Sequence, residues 1–189
     1  DESGSDPSPQ DAGLDGAAGG QAGASGGAGS AGSAAGSGGS AGGAVDAGPD
    51  GAPTCALAAK PPGTSTFEVT SSGVQRTARL VIPQSYDATQ SVPLVLVFHG
   101  YTQTAEAIEN ISEMTPLAEQ HGFVVAYPQG PGNSWNAGKC CGSGSSQQRP
   151  DIQFVSDLID ALSSELCIDP KRIYAAGFSN GGMLSNRIG

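Results

Sequence analysis

Basic residues are scarce in this chain of 189 residues: eight Lys and Arg stand against 18 Asp and Glu, for a net charge of −10. None of the eight clusters beyond Lys171-Arg172, so the basic stripe that phosphate binding requires is missing, which argues against nucleic acid as a partner. Long apolar runs are also lacking. The longest, such as Leu94 to Phe98, are strand-sized and far short of the roughly 20 residues a membrane-crossing helix needs. There is no C-x-x-C, and the only histidines, His99 and His121, are distant in sequence, so neither a metal site nor a cofactor is expected. Asp1 is not an initiator Met and no basic-then-apolar stretch accompanies it, so the chain is expected to begin after a processing site or an expression boundary.

Aromatic residues are absent from residues 1 to 54, as are Lys and Arg, while 17 of the 30 Gly and seven acids fall there. Such a segment buries too little apolar surface to offset roughly 1 to 2 kcal/mol of backbone entropy per residue. Triplets such as Ala31-Gly32-Ser33 recur without the strict period of collagen, so residues 1–54 read as a disordered acidic linker. A spacer between an anchor and a folded domain and simple low complexity are both open. Residues 55–189 hold all ten aromatics and form one domain of modest core.

The four cysteines, Cys55, Cys140, Cys141 and Cys167, are an even number beside an extracellular-looking linker, which favours disulfides over buried thiols. Four cysteines allow three complete connectivities, and all three remain open.

From Thr66 the pattern is that of strands. Phe67-Glu68-Val69 alternates, Val74, Ala78, Leu80 and Ile82 share a period-two face, and Gly73 sits where a hairpin turn is required. Pro93 to Phe98 and Phe123 to Tyr127 are continuous apolar runs, as strands buried on both faces of a parallel sheet would be. Between them Thr115-Pro116 predicts a helix start and Gly122 a stop. Ile152, Val155, Leu158, Ile159, Leu162 and Leu166 recur at helical spacing after Asp151, read as the cap. Arg172 to Gly177 predicts a third buried strand, and Gly181 opens another helix. This order implies an α/β fold with a mostly parallel sheet and helices on both faces.

Gly177-Phe178-Ser179-Asn180-Gly181 matches G-x-S-x-G, the nucleophile elbow, in which a serine is exposed on a strained strand-to-helix turn. The string also occurs at Gly23 to Gly27 and Gly38 to Gly42, but only Ser179 follows a strand pattern and precedes a helix. His99-Gly100-Tyr101-Thr102 follows the first buried run, where a loop would supply one oxyanion-binding amide, the other coming from Asn180. His99 is read as bonded to nearby backbone and shaping that loop rather than as catalytic. His121 is read as a surface residue at a helix end.

Taken with Trp135-Asn136-Ala137-Gly138, Cys140-Cys141-Gly142, Asp151, Phe154 and Tyr174 through Met183, these residues resemble the polyhydroxybutyrate depolymerase and feruloyl esterase group of α/β-hydrolases. The resemblance covers most of residues 61 to 189. It implies a secreted, extracellular or cell-surface serine esterase acting on polymer-linked esters, with Ser179 as nucleophile and the backbone amides of Tyr101 and Asn180 as oxyanion donors. Where the group often has two adjacent acids, this chain has Pro150-Asp151. Trp135 has two open readings, a platform for a sugar or aromatic acyl group and a core residue.

In this fold the triad acid and His follow the serine, yet Asn180 to Gly189 contain no Asp, Glu or His. The expectation is therefore the N-terminal part of an α/β-hydrolase, truncated after the elbow and inactive alone. Its parent is expected to cleave feruloyl or related acyl esters of plant polysaccharide, or else polyhydroxyalkanoate. A catalytically inactive, tethered binding protein on the same fold is the competing class.

Overall fold

The computed structural model describes residues 54–142 and 148–189. The linker expected over residues 1–54 lies, Thr54 apart, outside the described residues, as does most of the Gly- and Ser-rich stretch after Gly142.

The first hairpin joins β1 (Gly63–Ser71) to β2 (Val74–Ile82) in antiparallel register, with Ser71 opposite Val74. Its two-residue turn places Ser72 at φ 50° and Gly73 at φ 76°, the doubly positive geometry that follows the right-handed strand twist. Next come β3 (Val92–Phe98), β4 (Val124–Pro128) and β5 (Ile168–Gly177). β3 lies between β4 and β5 and is parallel to both, while β2 pairs antiparallel with β4, giving the order β1-β2-β4-β3-β5.

Helices cover both faces. α1 (Ala105–Ser112) and α2 (Met114–His121) enclose Val81, Val97, Val125 and Tyr127 on one side. On the other, α3 (Asp151–Glu165) and α4 (Asn180–Ile188) pack Phe154, Leu158, Leu162 and Leu184 against Leu80, Leu94, Leu96 and Ala126. Odd and even strand positions thus feed different cores, as the period of two demands.

The details correct several sequence expectations. α1 carries only two buried residues, too few for a visible stripe, and it begins at a Thr104 cap whose hydroxyl accepts from Ala107 N–H. α2 starts at Met114, so Thr115 is not its cap; the Thr115 hydroxyl instead meets the Tyr127 hydroxyl and Glu109. Asp151 does not cap α3, because its carboxylate is taken by tertiary partners, and Ile152 is exposed. β5 is an edge strand on which Tyr174 is 54% exposed, rather than a strand buried on both faces.

Cys55 pairs with Cys167, and Cys140 with its neighbour Cys141. The first bond joins the segment before β1 to the start of β5 and closes a loop across a separation of 112 residues, for which chain-entropy arguments give roughly 5 kcal/mol of stabilisation.

Candidate active site

β3 is followed by a crossover to β4 on one side, and the chain then returns to β5 on the other. Open parallel sheets bind ligands at such a switch point, outside the carboxyl ends of the strands. The ends of β3 and β5 there carry His99-Gly100-Tyr101 and Phe178-Ser179-Asn180.

Ser179 has φ 51° and ψ −115°, a conformation that costs a non-glycine residue on the order of 1 to 3 kcal/mol. Sterics on both sides hold it there. A Cβ on Gly177 would come within 2.5 Å of the Gly181 carbonyl carbon, and a Cβ on Gly181 would overlap the Phe98 and His99 carbonyl oxygens. The start of α4 is therefore pressed against the end of β3, and Ser179, exposed, is lifted to the surface between them. The strained turn predicted from the G-x-S-x-G string is present.

The hydrogen bonds of the two turns leave several amides unused among the described residues, those of Tyr101 and Asn180 included, together with those of Ser179 and Gly182. Gly100 N–H donates to Gln103 Oε1, Thr102 N–H to Asn133 O, and Gln103 N–H to Gly100 O. Among the described residues this leaves Tyr101 N–H without an acceptor. Asn180 N–H, at the first position of α4, has none either, whereas Gly181 and Met183 donate to Phe178 O and Ser179 O. These are the two amides named from the sequence. The turns touch, since a Cβ on Gly100 would lie 2.9 Å from the Phe178 ring and 3.3 Å from its carbonyl oxygen.

His99 is fully buried. Its Nδ1 lies 2.8 Å from Gly100 O, so that nitrogen carries the proton and donates, which leaves Nε2 to accept from Gly130 N–H at 2.9 Å. Burial holds the imidazole below the usual histidine range, against the opposing effect of the Gly100 carbonyl. The backbone-bonding reading of His99 thus matches its partners. His121 is exposed in the last turn of α2. Among the described residues neither histidine makes a hydrogen bond to Ser179.

Trp135 is 0% exposed, with Phe98 edge-on at 5.4 Å, His99 at 4.8 Å and Phe154 stacked at 6.4 Å between centroids. A ring so enclosed offers no face to a sugar or acyl group, so the platform reading of Trp135 is corrected: it is a core residue beneath the site. Its Nε1–H donates to His99 O at 2.9 Å. The surface around Ser179 is instead supplied by half-exposed Tyr101, Phe178 and Met183.

Sequence reasoning missed three supporting groups. The Asn180 side chain bonds the Trp135 backbone, Gln129 bridges Ala105 N–H and Asn133 Oδ1, and Arg76 reaches Asp151. Apart from Gln129–Asn133, four residues apart, each pair is distant in sequence, and none carries a local pattern. Among the described residues no group of His, Cys, Asp and Glu is placed to hold a metal ion, and no helix is long and apolar enough to cross a membrane.

Comparison with known proteins finds relatives named as esterases and as a depolymerase. Feruloyl esterase B of Piromyces equi is 38% identical over 57% of this chain and 20% of its own length. Poly(3-hydroxyalkanoate) depolymerase C of Paucimonas lemoignei is 31% identical over 50% of this chain and 23% of its own length. The chain thus spans less than a quarter of either relative. The solved acetyl xylan esterase from Aspergillus awamori superposes with a TM-score of 0.52 at 22% identity, covering 66% of this chain and 46% of that one, and shows a shared α/β-hydrolase fold. The family model for Esterase PHB depolymerase matches residues 78–188, from within β2 to the last residue of α4, and the chain belongs to that family.

Proposed function

We propose that this chain carries the nucleophile and oxyanion half of an extracellular carboxylic-ester hydrolase. The observation that carries the reading is the exposed Ser179, held at positive φ beside the unused amides of Tyr101 and Asn180. Ser179 Oγ attacks the ester carbonyl carbon while its proton passes to a general base, and the two amides hold the oxygen that becomes negative. Collapse of the tetrahedral adduct expels the alcohol, which takes the proton, and leaves an acyl-serine. Water then attacks with the same base, releasing the carboxylic acid and restoring Ser179. His99 is committed to Gly100 and Gly130, so the imidazole and its acid are supplied from outside these 189 residues, and the segment alone is inactive.

The substrate class we favour is a feruloyl or related acyl ester of plant polysaccharide, supported by the relative named feruloyl esterase and by the half-exposed aromatic rings at the site. Polyhydroxyalkanoate is the second reading, supported by the depolymerase relative. The Cys55–Cys167 disulfide supports an oxidising, extracellular setting, with residues 1–54 as the acidic spacer of the esterase domain.

The test is a fluorophosphonate probe on the full-length gene product, followed by feruloylated arabinose, acetylated xylan and polyhydroxybutyrate as substrates. Wild-type protein labels and hydrolyses one of them, and Ser179→Ala does neither. Labelling that survives Ser179→Ala removes the assigned nucleophile. A full-length protein that neither labels nor hydrolyses is the non-catalytic binding protein.

A further inference from the structure

We propose that the Asn180 carboxamide is a positioning group that sets the spacing of the two oxyanion amides, acting through Trp135 on the turn after β3. The inference rests on the esterase reading above.

The bonds form one continuous path. Asn180 Oδ1 accepts from Trp135 N–H at 2.8 Å, and Asn180 Nδ2 donates to Trp135 O at 3.3 Å. Trp135 Nε1–H then donates to His99 O at 2.9 Å, and the His99 ring donates to Gly100 O at 2.8 Å. The path starts on the residue whose own N–H is one donor and ends on the turn that carries the other. Asn180, Trp135 and His99 are all 0% exposed, so water does not compete for these bonds.

The residue type is specific to the task. A carboxamide presents one acceptor and one donor in a plane and so satisfies both backbone groups of a single residue, whereas an apolar side chain would leave both unmet. An aspartate would keep the bond from Trp135 N–H, lose the one to Trp135 O, and place a negative charge beside the site of developing oxyanion charge. Oxyanion donors act only within a narrow distance range, so a shift of about half an ångström between α4 and the β3 turn removes most of their effect.

The experiment uses the full-length protein with Trp135→Phe, which keeps one aromatic ring and removes the indole N–H together with the second ring, and with Asn180→Ala and Asn180→Asp. The readings are kcat and KM on a soluble feruloyl ester, the Ki of an aryl boronic acid whose tetrahedral serine adduct mimics the intermediate, and amide hydrogen exchange across residues 99–103. A fall in kcat of about 5- to 10-fold is expected for Trp135→Phe, as for one lost hydrogen bond. For the Asn180 variants the expected fall is about 10²- to 10³-fold, as for loss of an oxyanion donor. KM should change little, Ki should weaken in step with kcat/KM, and exchange should quicken. Folded variants with unchanged kcat and Ki, or with the whole loss in KM, overturn the proposal.

Should Asn180→Ala fail to fold, Trp135→Phe decides by the same readings. A wild-type protein that neither hydrolyses esters nor binds the boronate overturns the esterase reading instead. In that case unchanged exchange at 99–103 in both variant sets also overturns the tie itself.

Discussion

Arg76 on β2 and Asp151 at the start of α3 form a buried ion pair, Nη2 to Oδ1 at 2.9 Å, with side-chain exposures of 6% and 0%. The other Asp151 oxygen accepts from Asn136 N–H at 2.7 Å, and the Arg76 guanidinium lies 3.8 Å over the Phe154 ring. Burial lowers the affinity of Arg76 for its proton and the Asp151 charge opposes that. The pair therefore pins α3 and the loop bearing Trp135 to the same point on the sheet.

Removing one partner leaves the other charge buried. Asp151→Ala should lower unfolding free energy by about 3 to 5 kcal/mol, read from denaturant titration, and Arg76→Met by a similar amount. The double variant should lose clearly less than the two losses combined, because no unpaired charge remains. Additive losses would show that the two side chains act independently.

The buried imidazole of His99 makes stability depend on pH. Its proton affinity is lowered in the folded chain, so the unfolded chain binds more protons below the ordinary histidine value of about 6.5. This contribution is complete above that pH and is lost as pH falls through the lower folded value. Protonation would also set a second N–H against Gly130 N–H, its present donor. Melting temperatures should fall between pH 7.5 and 5 more steeply in wild type than in His99→Asn. Parallel curves would remove His99 as the cause.

Cys55→Ala opens the long covalent loop between the segment before β1 and the start of β5. A loss of about 2 to 5 kcal/mol is expected, measured by thermal unfolding under non-reducing conditions. Reductant should destabilise the wild type by a similar amount through this bond and the variant much less.

At the elbow, Gly181→Ala places a methyl group against the Phe98 and His99 carbonyl oxygens, which are backbone atoms and cannot rotate away. A cost of about 1 to 3 kcal/mol is expected from the forced separation of α4 and β3, together with slower labelling of Ser179 by a fluorophosphonate. Gly138→Ala makes a useful contrast: among the described residues no atom beyond its chain neighbours stands within 4 Å of its Cβ position, so the cost expected is that of the positive φ.

The alternation of strands and helices, the hairpin at Gly73, the helix from Asp151 and the elbow at Ser179 were legible in the sequence. Each rests on local rules: side-chain periods of 2 and 3.6, and glycines where a Cβ has no room. The pairing of Cys55 with Cys167, the burial of Trp135 and the recruitment of Asp151 by Arg76, 75 residues away, were not legible. Local patterns do not specify which distant groups meet. A buried donor or acceptor takes whatever partner the packed layers bring within 3 Å, because leaving it unmet costs more than any local preference supplies. Sequence alone thus determined that a serine would stand on a strand-to-helix turn and named the Tyr101 and Asn180 amides for it, while the tertiary structure decided which distant side chains tie the two turns together.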